Sequence, residues 1–151
     1  EAAVASMMAL NRLAARAMID SAASAATDIT GFGIVGHAIE MAEKSGVRIV
    51  VDANDLPFLP GARQYAFDEY LPGGAHRNRE FYSQHPRAPL RIDPRIAPEV
   101  TSLLYDPETS GGLLISIQAG SADSFERRCV ELGQPVWRCG RVEAGLGVEF
   151  T

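Results

Sequence analysis

The sequence predicts an α+β domain, and two observations carry that prediction. Helical and strand-like segments follow one another without the strand–helix alternation that marks a parallel α/β sheet. The 151 residues are 46% hydrophobic, enough for one core, so residues 1–151 read as a single domain. Nine prolines and fourteen glycines are spread along the chain rather than pooled, which separates it from low-complexity disordered chains.

The elements follow in order. Residues 3–20 suit one helix, with Met7, Met8, Leu10, Leu13, Met18 and Ile19 near one broad face. Thr30 is the expected cap of a second helix, opened by Gly31-Phe32-Gly33 and stopped by Ser45-Gly46. Ile34, Val35, Ala38 and Met41 recur inside it at helical spacing. The β-branched run from Val47 to Val51 reads as a strand. From Asp52 to about Pro98 the chain reads as a long Pro- and Gly-rich loop with one short helix around Ala62 to Tyr70. Pro98 to Leu104 predicts a short helix, and Leu113 to Ile117 a buried strand. Ser121 to Leu132 predicts an amphipathic helix stopped by Gly133, and Val136–Val142 and Gly147–Phe150 predict closing strands.

Composition narrows the classes. The formal charge of -5 comes with scattered basic residues, without the basic stripe of a nucleic-acid binder. No apolar run approaches the roughly 18 to 20 residues that span a bilayer, so no membrane partner is expected. Cys129 and Cys139 have no partner His cluster, and the chain is expected to be cytoplasmic with free thiols. Glu1-Ala-Ala-Val has neither an initiator Met nor a basic leader, so it reads as a boundary inside a longer protein.

Three segments use residues poorly suited to a core and well suited to anions. In Ala26 to His37, Thr30, Gly31, Gly33 and Gly36 stand at a helix mouth, where backbone N–H groups can approach an anion. Asp28 just before them can hold Mg²⁺, because hard cations prefer carboxylate oxygen. In Leu71 to Asn78, Gly73 and Gly74 precede a cation and an amide, Arg77 and Asn78, as in a phosphate grip. In Leu104 to Leu114, Thr109, Ser110, Gly111 and Gly112 run directly into a strand and bring hydroxyls and N–H groups to its start. Each segment also has a plain alternative: turn chemistry for the glycines, a cap for Asp28, a packing residue for His37, a solvated Arg77.

In this order the segments resemble selenophosphate synthetase (selenide, water dikinase), within the aminoimidazole ribonucleotide synthetase superfamily. The strings are Thr27 to His37, Leu59-Pro60-Gly61, Pro72 to Asn78 and Asp106 to Gly112; Ser6-Met7-Met8-Ala9-Leu10-Asn11 is similar to that family's opening helix. The resemblance implies a C-terminal domain of layered helices and a mixed β-sheet, like that of the superfamily. It also implies Mg²⁺, with ATP and selenide as substrates, and an enzyme that releases AMP and phosphate. The partners it implies are an N-terminal domain of the same chain and a homodimer at full length. Asp28 matches the family's metal-binding aspartate in this domain. The reactive Cys or Sec and its companion Lys lie upstream, so no catalytic residue is expected here and the domain alone should be inactive. Two other readings remain: a thiamine-monophosphate kinase or hydrogenase-maturation relative, against which Thr-Gly-Phe-Gly and Pro-Gly-Gly count, and a non-catalytic binding module. Residues 80–96 carry no motif.

Overall fold

The computed structural model describes residues 1–84 and 88–151. Its centre is helix α3 (Gly33–Ser45), whose Val35, Ala38, Ile39 and Ala42 are all buried. That i, i+3, i+4, i+7 spacing makes one continuous apolar stripe. Gly46 ends the helix in the left-handed conformation (φ 64°), with Lys44 in the last turn beside the negative dipole end.

The stripe packs on a four-stranded mixed sheet ordered β3-β6-β2-β5: β3 (Leu90–Ile92), β6 (Gly147–Phe150), β2 (Arg48–Val51) and β5 (Gly140–Glu143). β2 runs parallel to β6 and antiparallel to β5, and β3 runs parallel to β6. Ile49, Val50 and Val51 are all buried, which explains a run of β-branched residues without polar alternation. Phe150, Val148, Ile39 and Leu104 complete this core.

A second layer surrounds the antiparallel ribbon of β1 (Ala25–Asp28) and β4 (Leu113–Ser116), in which Asp28 lies opposite Leu113. Two strands alone are marginal in water. Helices α2 (Arg12–Asp20) and α7 (Ala122–Glu131) support them through Ala17, Phe125 and Cys129, packed with Ile115 and Ile117. Arg128 on α7 also reaches Asp20 on α2 at 2.9 Å. The remaining helices are α1 (Ala2–Met8), α4 (Ala62–Phe67), α5 (Gly73–Tyr82) and α6 (Pro98–Leu103).

The architecture is the expected α+β one, with several local differences. The single helix over 3–20 is two helices, because Ala9 is extended (ψ 130°) and a new helix starts after Asn11. Phe32, not Thr30, is the N-cap of α3. The stretch from Asp52 to Pro98, expected to be mostly loop, holds α4, α5 and β3. Pro72, extended at ψ 149°, starts α5, so Pro-Gly-Gly opens a helix rather than closing one. Residues 85–87, within the motif-free stretch 80–96, lie outside the described residues. The strand expected over 136–142 is regular only from Gly140, and Arg138 instead joins Glu126 (2.8 Å) and Asp123 (2.9 Å) on α7. The strand at Leu113–Ser116 is half-buried rather than buried. Cys129 and Cys139 are free, and burial raises the pKa of both thiols.

Candidate functional site

The three motif segments, far apart in sequence, meet at the mouth of α3. The first and third are joined through their backbones: Ile29 N–H donates to Gly112 O (3.0 Å), Gly111 N–H to Ile29 O (2.9 Å) and Glu108 N–H to Thr30 O (3.1 Å). These bonds continue the β1–β4 ladder past Asp28. The second segment is tied in by Asn78, whose Nδ2 donates to Gly31 O (2.9 Å) and Tyr105 O (3.0 Å). Gly74 lies under Pro107, which a Cβ would meet at 2.8 Å.

The helix mouth is only partly capped. Gly33 N–H bonds Thr30 O, Val35 N–H reaches across to Leu104 O (3.1 Å), and Gly36 N–H bonds Phe32 O. No side chain caps the helix, and the N–H groups of Gly31 and Phe32 have no partner among the described residues. Free donors at the positive end of a thirteen-residue helix suit an anion.

His37 organises the turn from beneath. It is 7% exposed, and its Nε2 accepts the Thr30 N–H (3.0 Å) and faces Thr30 Oγ1 (3.1 Å). An accepting nitrogen carries no proton, so the neutral ring has its hydrogen on Nδ1. Nδ1 is buried without a partner among the described residues. The Phe32 ring lies 5.4 Å away, tilted by 33°. Thr30 commits its N–H to the imidazole, whereas the exposed Gly31 and Phe32 have N–H groups without a partner among the described residues.

The glycines divide by what surrounds them. At Gly33 φ is +66° and a Cβ would lie 2.9 Å from Leu104 O, so the fold itself excludes a side chain. At Gly36 the obstacle is the Tyr82 ring at 2.7 Å, and at Gly111 the Glu108 carboxylate at 2.5 Å. Gly31 differs: its φ is ordinary, and a methyl group placed there would meet nothing within 4 Å. Gly73 meets only the far end of Arg77, at 3.4 Å. Neither position needs glycine for packing.

Asp28 is exposed at the end of β1, its carboxylate without a hydrogen bond or ion pair among the described residues. Arg77 and Thr109 are exposed, while Ser110 Oγ donates to Ala9 O at 3.4 Å. Two acids that the sequence reading does not single out stand beside this site. Asp106 has Oδ1 buried and unpartnered among the described residues, and burial raises its pKa. Glu108 is exposed as a residue, but its carboxyl end is tucked against Gly111 and Ile29. Desolvation first, and then the Asp106 charge, push its pKa to about 7. No run of acidic residues announces this pair; within Asp106-Pro107-Glu108 the sequence signals only a turn.

Among the described residues no three metal-ligating side chains cluster. The exposed Asp28 carboxylate offers a hard cation such as Mg²⁺ one oxygen ligand and not a complete set. Mg²⁺ commonly takes one or two carboxylates together with phosphate oxygens and water.

The chain matches the family model of the AIR synthase related protein C-terminal domain over residues 1–151. It is 42% identical over 126 residues to a selenide, water dikinase of Caldanaerobacter subterraneus subsp. tengcongensis, covering 83% of this chain and 35% of that protein. It is 44% identical over 130 residues to the selenide, water dikinase of Trichlorobacter lovleyi (85% and 36%), and 39% over 145 residues to that of Geobacter sp. strain M21 (96% and 40%). The chain thus spans little more than a third of the length of these relatives. Among solved structures, the thiamine-monophosphate kinase of Stenotrophomonas maltophilia K279a shares the fold with a TM-score of 0.54 and 20% identity, over 85% of this chain and 31% of that one.

Proposed function

The chain belongs to the AIR synthase related protein C-terminal domain family, and from that premise we propose that it serves a selenide, water dikinase. In this reading it is the C-terminal domain and supplies part of the site that holds Mg²⁺ and the ATP phosphates. The observation that carries the reading is Gly31. Three of the family strings converge on one helix mouth, and there a glycine that packing does not require carries an N–H uncommitted among the described residues. A glycine kept bare for no internal reason suits the close approach of a ligand.

Each part of the site has a task in this reading. The Gly31 and Phe32 N–H groups donate to phosphate oxygens, and His37 fixes the turn that aims them. Arg77 adds an exposed positive charge on α5. Asp28 holds Mg²⁺, which when bound offsets phosphate charge. Phosphoryl transfer asks chiefly for such positioning and neutralisation. In this reading the reacting groups come from an upstream N-terminal domain, and the domain alone is inactive. The exposed apolar residues of and after α1, Val4, Met7, Met8 and Leu10, support such a partner, because α1 has no buried residue. Seven-residue helices do not persist in water unaided. Dimerisation at full length and a cytoplasmic location belong to the same reading, and among the described residues no helix is long and apolar enough to cross a membrane.

Following phosphorus by NMR in the parent protein tests the function. With ATP, Mg²⁺ and selenide, a selenide, water dikinase should give AMP, orthophosphate and a selenophosphate signal, and the 151-residue chain alone should give none. Selenide-independent turnover with thiamine monophosphate, yielding ADP, would replace it with the kinase whose fold the chain shares.

A further inference from the structure

A cleft lies apart from the Gly31 turn, and Tyr105 is the one lining residue it shares with the motif segments. It has a volume of about 390 Å³, bounded by α5, α6 and the turn after β3. That is within the range of small-molecule sites, roughly 300–1,000 Å³. Its walls differ in character. Ile92, Ile96 and Pro98 give an apolar side, with both isoleucines rooted in the main core. The lining also holds Arg79 and the hydroxyls of Ser83, Thr101 and Tyr105, with Thr101 one helical turn from Pro98 on α6.

The charge in this cleft is unbalanced. The carboxylate in its lining, Asp93, is already occupied by Arg95, with Nη2 on Oδ2 at 2.6 Å and Nε on Oδ1 at 3.0 Å. Arg79 has no ion-pair or hydrogen-bond partner for its side chain among the described residues, and neither does the Thr101 hydroxyl. Ser83 Oγ and Tyr105 Oη are 3.5 Å apart, a long contact that leaves one of the two hydrogens free for a third party. An open guanidinium, two available hydroxyl groups and an apolar wall are complementary to a molecule with an anionic head and a hydrocarbon body.

We propose that this cleft binds a small organic anion, its carboxylate or phosphate head on Arg79, Thr101 and Tyr105 and its apolar body against Ile92, Ile96 and Pro98. The site is separate from the helix mouth and does not depend on the function proposed above. It is nevertheless linked to that mouth, because the Tyr105 carbonyl and Asn78, one residue before Arg79, hold the Gly31 turn.

Titrating the ¹⁵N-labelled protein with benzoate, phenyl phosphate, inorganic phosphate and phenol tests this. Both organic anions should shift the amides of Arg79, Ser83, Ile92, Ile96 and Thr101 saturably, with Kd on the order of 1 mM for ligands of this size. Inorganic phosphate lacks the body and phenol lacks the head, so each should bind about tenfold or more weakly. Arg79→Gln, at an exposed position, should weaken the organic anions by about tenfold while leaving the rest of the spectrum in place. The proposal is overturned if no cleft amide shifts saturably, if the shifts centre on Gly31 to Ile34 instead, or if Arg79→Gln binds as the wild type does.

Discussion

Gly31 and Gly33 stand two residues apart in one string, and the fold asks different things of them. Gly33→Ala would force an L side chain to φ +66° and against Leu104 O at 2.9 Å, so it should destabilise the protein by about 2–3 kcal/mol. Gly31→Ala meets nothing, and its melting temperature should stay near wild type while nucleotide affinity of the parent protein falls. Thermal unfolding and nucleotide titration of both variants separate the two roles. Glu108 gives a pH signature at the same scale. Its pKa is about 7 in the fold against an ordinary 4.5, so the folded state holds the proton longer than the unfolded chain does. Stability from this group is therefore full below about pH 4.5, declines as pH rises toward 7, and is flat above. Because the residue is exposed and solvent screens its carboxyl, the decline should be only about 1 kcal/mol. Glu108→Gln should flatten that part of the curve, as chemical denaturation across about pH 4 to 8 would report. Sequence spacing locates the glycines, but whether each one faces packing or open space depends on residues about 70 positions away, as Leu104 does for Gly33.

At the scale of elements, α5 is the piece that the sequence hides and the site needs. Pro-Gly-Gly ordinarily signals a turn, and here the same residues open a helix because Pro72 is extended and Gly74 lets Pro107 settle on the first turn. That contact is tertiary, so no local pattern can announce it. β1 and β3 escape the sequence for a similar reason: four- and three-residue strands have too little periodicity, and only their partners β4 and β6 define them. By contrast α3, with buried residues at helical spacing and a glycine stop, is legible at once. Asn78 joins α5 to both other segments with two hydrogen bonds to carbonyls. Asn78→Ala should cost about 1–3 kcal/mol and loosen the Gly31 turn. Hydrogen exchange should then speed up at Gly31 to Val35 more than in the β2–β6 core; uniform acceleration would show that Asn78 has no local role.

At the scale of the whole molecule, the domain is a scaffold that gathers three strings into half of a proposed phosphate site. The convergence is legible as a family resemblance and not as geometry, since nothing in spacing alone brings residues 28, 78 and 111 together. Asp28 concentrates the proposal, because its carboxylate is exposed and uncommitted among the described residues. The most direct measurement is AMP release by the parent protein carrying Asp28→Asn, across a Mg²⁺ titration, beside its thermal midpoint. The amide keeps the size of the carboxylate but binds a hard cation far less well. If Asp28 holds the cation, stability should change by no more than about 1 kcal/mol, and turnover should fall at least about tenfold at every Mg²⁺ concentration. A folded variant with near wild-type turnover throughout the titration would contradict the assignment.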